Sequence, residues 1–229
     1  MSENQIQISK VSKVYCSGGL PVQALSGVDL KVDRKEFAVL AGPSGSGKST
    51  LLHLIGALDR PTEGSVSVGG QDLAQLSRNE LAEFRLRRIG FVFQAYNLIP
   101  VLSARENVEY PLLLQKIDPA ERRRRSADLL NRVGLADQMN KRPGEMSGGQ
   151  QQRVAVARSL ATRPEIVLAD EPTANLDSHT GAALIDLFRD LSEEFKITFL
   201  FASHDQMVIN RAHHVIHLKD GRVDAEEFH

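Results

Sequence analysis

The chain has 229 residues, 41% of them hydrophobic and 25% charged, and a formal net charge of −1. That length holds one large domain or two joined lobes with a core of their own, and the near-neutral charge argues against a protein drawn onto nucleic acid by its field. The single cysteine, Cys16, forbids an intrachain disulfide, "MSENQIQISK" lacks a signal-peptide core, and no apolar run approaches the roughly 20 residues of a membrane helix.

A cytosolic protein is therefore expected, with any membrane role borrowed from a partner. The first third reads as β-rich. "GVDLKV" alternates, "FAVLAG" is a short apolar run ending in glycine, and "GSVSVGG" alternates between turn signals. Directly after "FAVLAG" comes "GPSGSGKS", which matches G-x-x-x-x-G-K-[ST], followed by the helical pattern "STLLHLIGALD". Strand, glycine-rich turn and helix in that order form a phosphate cradle. Gly42, Ser44, Gly45, Ser46 and Gly47 supply inward N–H groups, Pro43 shapes the turn between them without a donor of its own, and Thr50 lies just inside the helix. Lys48 reaches the β- and γ-phosphates, and Ser49 ligates Mg²⁺.

"RIGFVFQ", Arg88 to Gln94, reads as a strand, with Gln94 a polar group at its end that senses Mg²⁺ and water. From about Ser103 to Leu160 the pattern is helical without a convincing strand. One helix there starts with Asp118 as N-cap and Pro119 in its first turn, and stops near Gly134. "ERRRR", Glu121 to Arg125, lies on that helix and reads as a solvated face. At the end of the stretch, "MSGGQ" sets Ser147 as the N-cap of a second helix with an open N-terminus. Gly148, Gly149 and Gln150 follow it, an arrangement that suits a second anion.

The last third returns to alternating strand and helix. "EIVLADEP" and "ITFLFASHD" are apolar runs ending in polar residues, as buried parallel strands do, with the helix "SHTGAALIDLFRDLSEEF" between them. Asp170 and Glu171 sit where an open α/β sheet places its ligands. Read alone, the pair more often caps a helix or ends a solvated strand. Beside a phosphate loop, Asp170 suits a water-mediated hold on Mg²⁺ and Glu171 a general base. His204, at the end of the other run, is expected to touch the γ-phosphate and orient Glu171. The tail "VIHLKDGRVDAEEF" reads as a hairpin turned at Asp220-Gly221. His213, His214 and His217 do not share a strand face, so no metal site is read there, and Cys16 reads as a small packing residue.

These motifs together resemble the nucleotide-binding subunits of ABC transporters over nearly the whole chain. The Walker A motif is Gly42 to Ser49, the Q-loop residue Gln94, the signature "MSGGQ", the Walker B motif "IVLADE", the D-loop "NLD" ending at Asp177, and the switch histidine His204. The resemblance implies an α/β fold: a P-loop ATPase core with a mostly parallel sheet and an antiparallel β subdomain, plus an inserted α-helical subdomain. Core residues would be 1–94 and 161–229 and helical residues 95–160, within one domain of residues 1–229. It also implies ATP and Mg²⁺ as cofactors and Tyr15 stacked on adenine. Lys48, Gln94, Glu171 and His204 would be catalytic. A homodimer would form in which Ser147, Gly148, Gly149 and Gln150 close over the partner copy's ATP, with Asp177 between the copies. Met146 replaces the usual signature leucine, a volume-conserving change, and Lys35 replaces a common turn glycine before Glu36.

"RIGFVFQAYNLIP", "ENVEYPL" and "LADEPTANLDS" resemble the branch serving lipoprotein release and macrolide or peptide export. That branch implies a permease with a large periplasmic domain and a peripheral position at the cytoplasmic face of the inner membrane. The short stretch after His204 leaves no room for the extra regulatory domain of many sugar importers. A regulatory clamp in cell-division or cell-wall signalling is the alternative role. A DNA-repair or translation ATPase fits poorly, since the long insertions of the one and the second cassette of the other are absent from this sequence.

Overall fold

The strands divide into two sheets in the computed structural model, which describes residues 4–18 and 20–229. In chain order come β1 (Asn4–Ser17), β2 (Leu20–Asp33), β3 (Phe37–Ala41), α1 (Lys48–Ile55), β4 (Glu63–Val68), β5 (Gln71–Asp72), α2 (Arg78–Arg88) and β6 (Ile89–Phe93). Then follow α3 (Ala104–Leu114), α4 (Pro119–Arg132), α5 (Gly148–Leu160), β7 (Ile166–Asp170), α6 (Ser178–Phe195), β8 (Thr198–Ser203), α7 (Gln206–Ile209), β9 (His214–Lys219) and β10 (Arg222–Phe228). One sheet is antiparallel with order β2-β1-β4-β5, and the other runs β10-β9-β3-β8-β7-β6. In the second sheet every neighbouring pair is parallel except the β9–β10 hairpin.

The apolar runs of the large sheet are buried on both faces, and their alternation sorts them between two cores. Val39, Val167, Phe199 and Phe201 point to one side, where α3 to α6 add Val108, Leu112, Leu130, Val154 and Phe188. Leu40, Leu168, Leu200 and Ile216 point to the other, where Leu51, Leu52 and Ile55 of α1 are packed with Ile6, Leu25 and Val66 of the antiparallel sheet. Strands with apolar residues at every position need this double cover. The helical stretch expected over residues 95–160 thus shares its core with the sheet, with α5 packed on β6.

Helix starts follow local chemistry. Asp118 accepts from the N–H groups of Ala120 and Glu121, with Pro119 next in line. Ser77, Ser103 and Ser147 each form a reciprocal capping box, with Glu80, Glu106 and Gln150 respectively. Lys35 adopts φ 65, so the turn where a glycine is common is strained here. Glu121 takes both Arg124 and Arg125; Arg123 and Arg124 are exposed, while Arg122 and Arg125 are half-buried against the helix surface. Asp220 (φ 47) and Gly221 (φ 74) form the expected hairpin turn. Cys16 corrects the sequence reading: it is exposed rather than packed, because both faces of β1 are open to solvent near its end, where Tyr15 is exposed too. No helix among the described residues is long and apolar enough to cross a membrane.

Candidate active site

Sheet register builds the site. Phe93 pairs with Asp170, Asp170 with Ala202, and Ala41 with Ser203. The residues one step beyond these strand ends are Gln94, Glu171, Gly42 and His204, so four chemically distinct groups leave the sheet along one edge. Their cleft has a volume of about 380 Å³ and is lined by Gly45, Lys48, Ser49, Gln94, Glu171 and His204, with Ala24, Ser44, Gly47, Thr50 and Ala174 completing it.

The Gly42–Ser49 loop wraps the start of α1. Gly47 has φ 104, and a Cβ there would lie 2.8 Å from the Ala24 carbonyl, so only glycine turns the chain into the helix at this point. No side chain caps α1, and its first N–H groups remain open to an anion. Ser46 is buried, and its Oγ has no hydrogen-bond partner among the described residues. An open helix end and an unpartnered buried hydroxyl both fit a phosphate chain. Lys48 Nζ donates to the carbonyls of Gly42 (2.7 Å) and Pro43 (3.0 Å) and lies 3.9 Å from Glu171 Oε1. A buried ammonium is thus poised at the cradle.

Ser49 Oγ donates to Asp170 Oδ1 at 3.0 Å. Burial pushes the Asp170 carboxyl up from its ordinary range, with the Glu171 charge adding to this and the Ser49 bond, His53 and Lys48 opposing it. No group of three or more His, Cys, Asp or Glu among the described residues could hold a metal ion by itself. The Ser49–Asp170 pair fits magnesium, which takes most of its ligands from phosphate and water.

Glu171 adopts φ 44, a strained turn fixed by its own N–H donating to the Ala202 carbonyl at 2.9 Å. His204 Nδ1 lies 2.8 Å from Glu171 Oε1, and Ser203 Oγ donates to Oε2 at 3.2 Å. The expected contact between His204 and Glu171 is therefore present. Ser203 was not among the sequence candidates; its only signal is its place before His204 at the end of an apolar run.

The remaining candidates lie around this cleft. Tyr15 stands at its rim rather than in its lining, beside Thr50, with its hydroxyl donating to Asp59 at 3.0 Å. The Gln94 carbonyl accepts from Asn175 Nδ2 at 2.9 Å. Asp177 caps α6, its carboxylate accepting from the Thr180 N–H at 3.0 Å; the Thr180 side chain foremost, and then this N–H, hold it below the usual carboxylate range. Ser147, Gly148, Gly149 and Gln150 do not line the cleft. They sit where a Cβ on Gly148 would fall 2.8 Å from Tyr96 Oη, and Gln150 Oε1 accepts from the Ser147 N–H at 3.0 Å.

A family model described as ABC transporter matches residues 25–174. An uncharacterized ABC transporter ATP-binding protein of Thermotoga maritima is 46% identical over 222 residues, covering 97% of this chain and 94% of that protein. The macrolide export ATP-binding/permease protein MacB of Nitrosomonas europaea is 47% identical over 96% of this chain, which spans only 34% of that longer protein. The solved dimer of the ATP-binding cassette MJ0796 from Methanocaldococcus jannaschii, in a post-hydrolysis state bound to ADP and Pi, matches with a TM-score of 0.90. That match is at 44% identity and covers 97% of this chain and 98% of that one.

Proposed function

The chain belongs to the ABC transporter family as an ATP-hydrolysing cassette, and on that premise we propose that two copies work head to tail on a membrane permease. Each ATP lies on the Gly42–Thr50 cradle of one copy and under Ser147, Gly148, Gly149 and Gln150 of the other. The observation that carries this is the separation of the two grips within one chain: the signature turn is absent from the lining of the cleft that holds Lys48 and Glu171. The dimeric state of the MJ0796 cassette supports it. Residues 1–94 and 161–229 serve as nucleotide core and 95–160 as the lobe that delivers the signature.

In hydrolysis Glu171 accepts a proton from the attacking water. The water oxygen bonds to Pγ, the bond from Pγ to the ADP oxygen breaks, and its electron pair leaves on ADP. Ser203 and His204 hold the two carboxylate oxygens of Glu171. Lys48 exchanges its carbonyl partners Gly42 and Pro43 for phosphate oxygens, and its charge offsets the charge that develops there. Bound magnesium, held by Ser49, by Asp170 through water and by Gln94, would neutralise phosphate charge. Tyr15 stacks on adenine, and Asp177 lies between the copies.

The segment from Ala95 to Pro111 receives a cytoplasmic helix of the permease, so that Gln94 reports the nucleotide state to it. Placement is peripheral, at the cytoplasmic face of the inner membrane, beside a permease with a periplasmic domain. The macrolide-export name of the MacB relative favours outward movement or extraction of a lipoprotein, lipid, peptide or macrolide-type cargo. The test is Glu171→Gln. It should keep ATP binding, accumulate the dimer on a sizing column and slow turnover by at least ~100-fold. Turnover at the wild-type rate would remove Glu171 from the role of base.

A further inference from the structure

Tyr15 is an exposed aromatic on an antiparallel strand, yet its ring is not free to swing. Its hydroxyl donates to Asp59 Oδ2 at 3.0 Å, and Lys13 Nζ meets the same oxygen at 2.8 Å. The ammonium also lies 4.8 Å from the Tyr15 ring centroid, which places a cation over one side of the ring. Lys13 Nζ is fixed in turn by the Arg60 carbonyl at 2.8 Å, and Asp59 Oδ1 by the Arg60 N–H at 2.7 Å.

This cluster is also tied to the phosphate side of the site. Asp59 lies on the segment that follows α1, the helix that begins with Lys48 and Ser49. The same segment clamps β1 twice more, with Val14 N–H donating to Thr62 Oγ1 at 3.0 Å and Thr62 N–H to the Ser12 carbonyl at 2.9 Å. The segment that follows α1 therefore fixes the direction of the ring through contacts that lie outside the phosphate loop.

We propose that Asp59 and Lys13 are positioning residues for the nucleotide base: Asp59 fixes the rotamer of Tyr15 through its hydroxyl, and Lys13 closes one face of the ring, leaving the other for a purine. This rests on the reading that Tyr15 stacks on adenine. The physical gain is preorganisation, since an untethered ring would have to be ordered at the moment of binding. A base-only effect follows, because neither residue touches the phosphate loop.

The test measures binding of ATP and of inorganic tripolyphosphate, which has the phosphates but no base, to the full chain by calorimetry. Asp59→Ala and Tyr15→Phe should each weaken ATP binding about three- to fivefold, the range of one modest hydrogen bond. Tyr15→Ser should weaken it about tenfold, and all three should bind tripolyphosphate as the wild type does. Asp59→Ala in the Tyr15→Phe background should add less than it costs alone, since only its hold on Lys13 is then left to lose. Unaltered ATP affinity in Tyr15→Phe, or an equal loss of tripolyphosphate affinity in Asp59→Ala, overturns the positioning role. Tyr15→Phe keeps the test decisive if Asp59→Ala does not fold. Unchanged ATP binding in Tyr15→Ser would instead overturn the stacking itself, and the positioning role with it.

Discussion

Glu171 shows how a single residue is set for one task. Its backbone is held at φ 44, and its two oxygens are claimed from different directions by Ser203 and His204. Loss of either partner lets the carboxylate turn. His204→Ala should lower kcat by 10- to 100-fold, estimated from the general-base share of catalysis that His204 orients, while ATP affinity stays near wild type in equilibrium binding. A second residue, His214, is buried between Glu36 Oε2 (3.3 Å) and Glu226 Oε2 (3.0 Å). Burial pulls its imidazole down, but the two carboxylates outweigh this and hold it above its ordinary value. Glu36 is pushed up by burial and pulled further down by His214 and the Asp33 N–H. A raised folded pKa adds stability that is complete below about 6.5 and fades as pH climbs through the folded value. The lowered Glu36 adds stability that fades as pH falls below about 4.5. Thermal unfolding should therefore show Tm declining above about pH 6.5 in the wild type, with that limb flattened in His214→Gln. Of these residues the sequence marks Glu171 and His204 through their strand-end positions. Ser203, Lys13 and Asp59 carry no motif, because their roles come from contacts between distant segments.

At the scale of elements, α5 and the loop after β6 are joined at a strained point. Tyr96 and Asn97 both adopt left-handed backbone (φ 60 and 50), and Arg158 of α5 donates to their carbonyls at 2.9 and 2.5 Å. The loop that starts at Gln94 is thereby locked to the helix that starts at the signature turn. Arg158→Ala should cost about 1 kcal/mol in chemical denaturation, because the Asn97 carbonyl can turn to water. ATP binding by the separate Lys48 cradle should persist. Sequence pattern exposes most elements of the large sheet, since apolar runs and period-2 alternation are strong there. It leaves β1 and α2 unmarked. β1 mixes polar residues into both faces through several register shifts, and α2 buries only Leu81 and Phe84, so its true signal is the Ser77–Glu80 capping box. The sharing of one core between the helical stretch and the sheet is likewise invisible in a linear pattern, because it depends on which strand face α5 covers.

At the scale of the whole molecule, one chain carries an ATP cradle and a signature turn that do not line the same cleft. On the proposed head-to-tail pairing, twofold symmetry would turn that mismatch into two complete sites, each built from both copies. The most direct measurement is ATPase activity after mixing a Ser147→Arg chain with a Lys48→Ala chain. Each should be inactive alone, and only a mixed pair would hold one intact cradle facing one intact signature. Random pairing makes half the dimers mixed, each with one working site, so activity should recover to about a quarter of the wild-type rate. Activity that never exceeds the sum of the two separate chains would contradict the shared site.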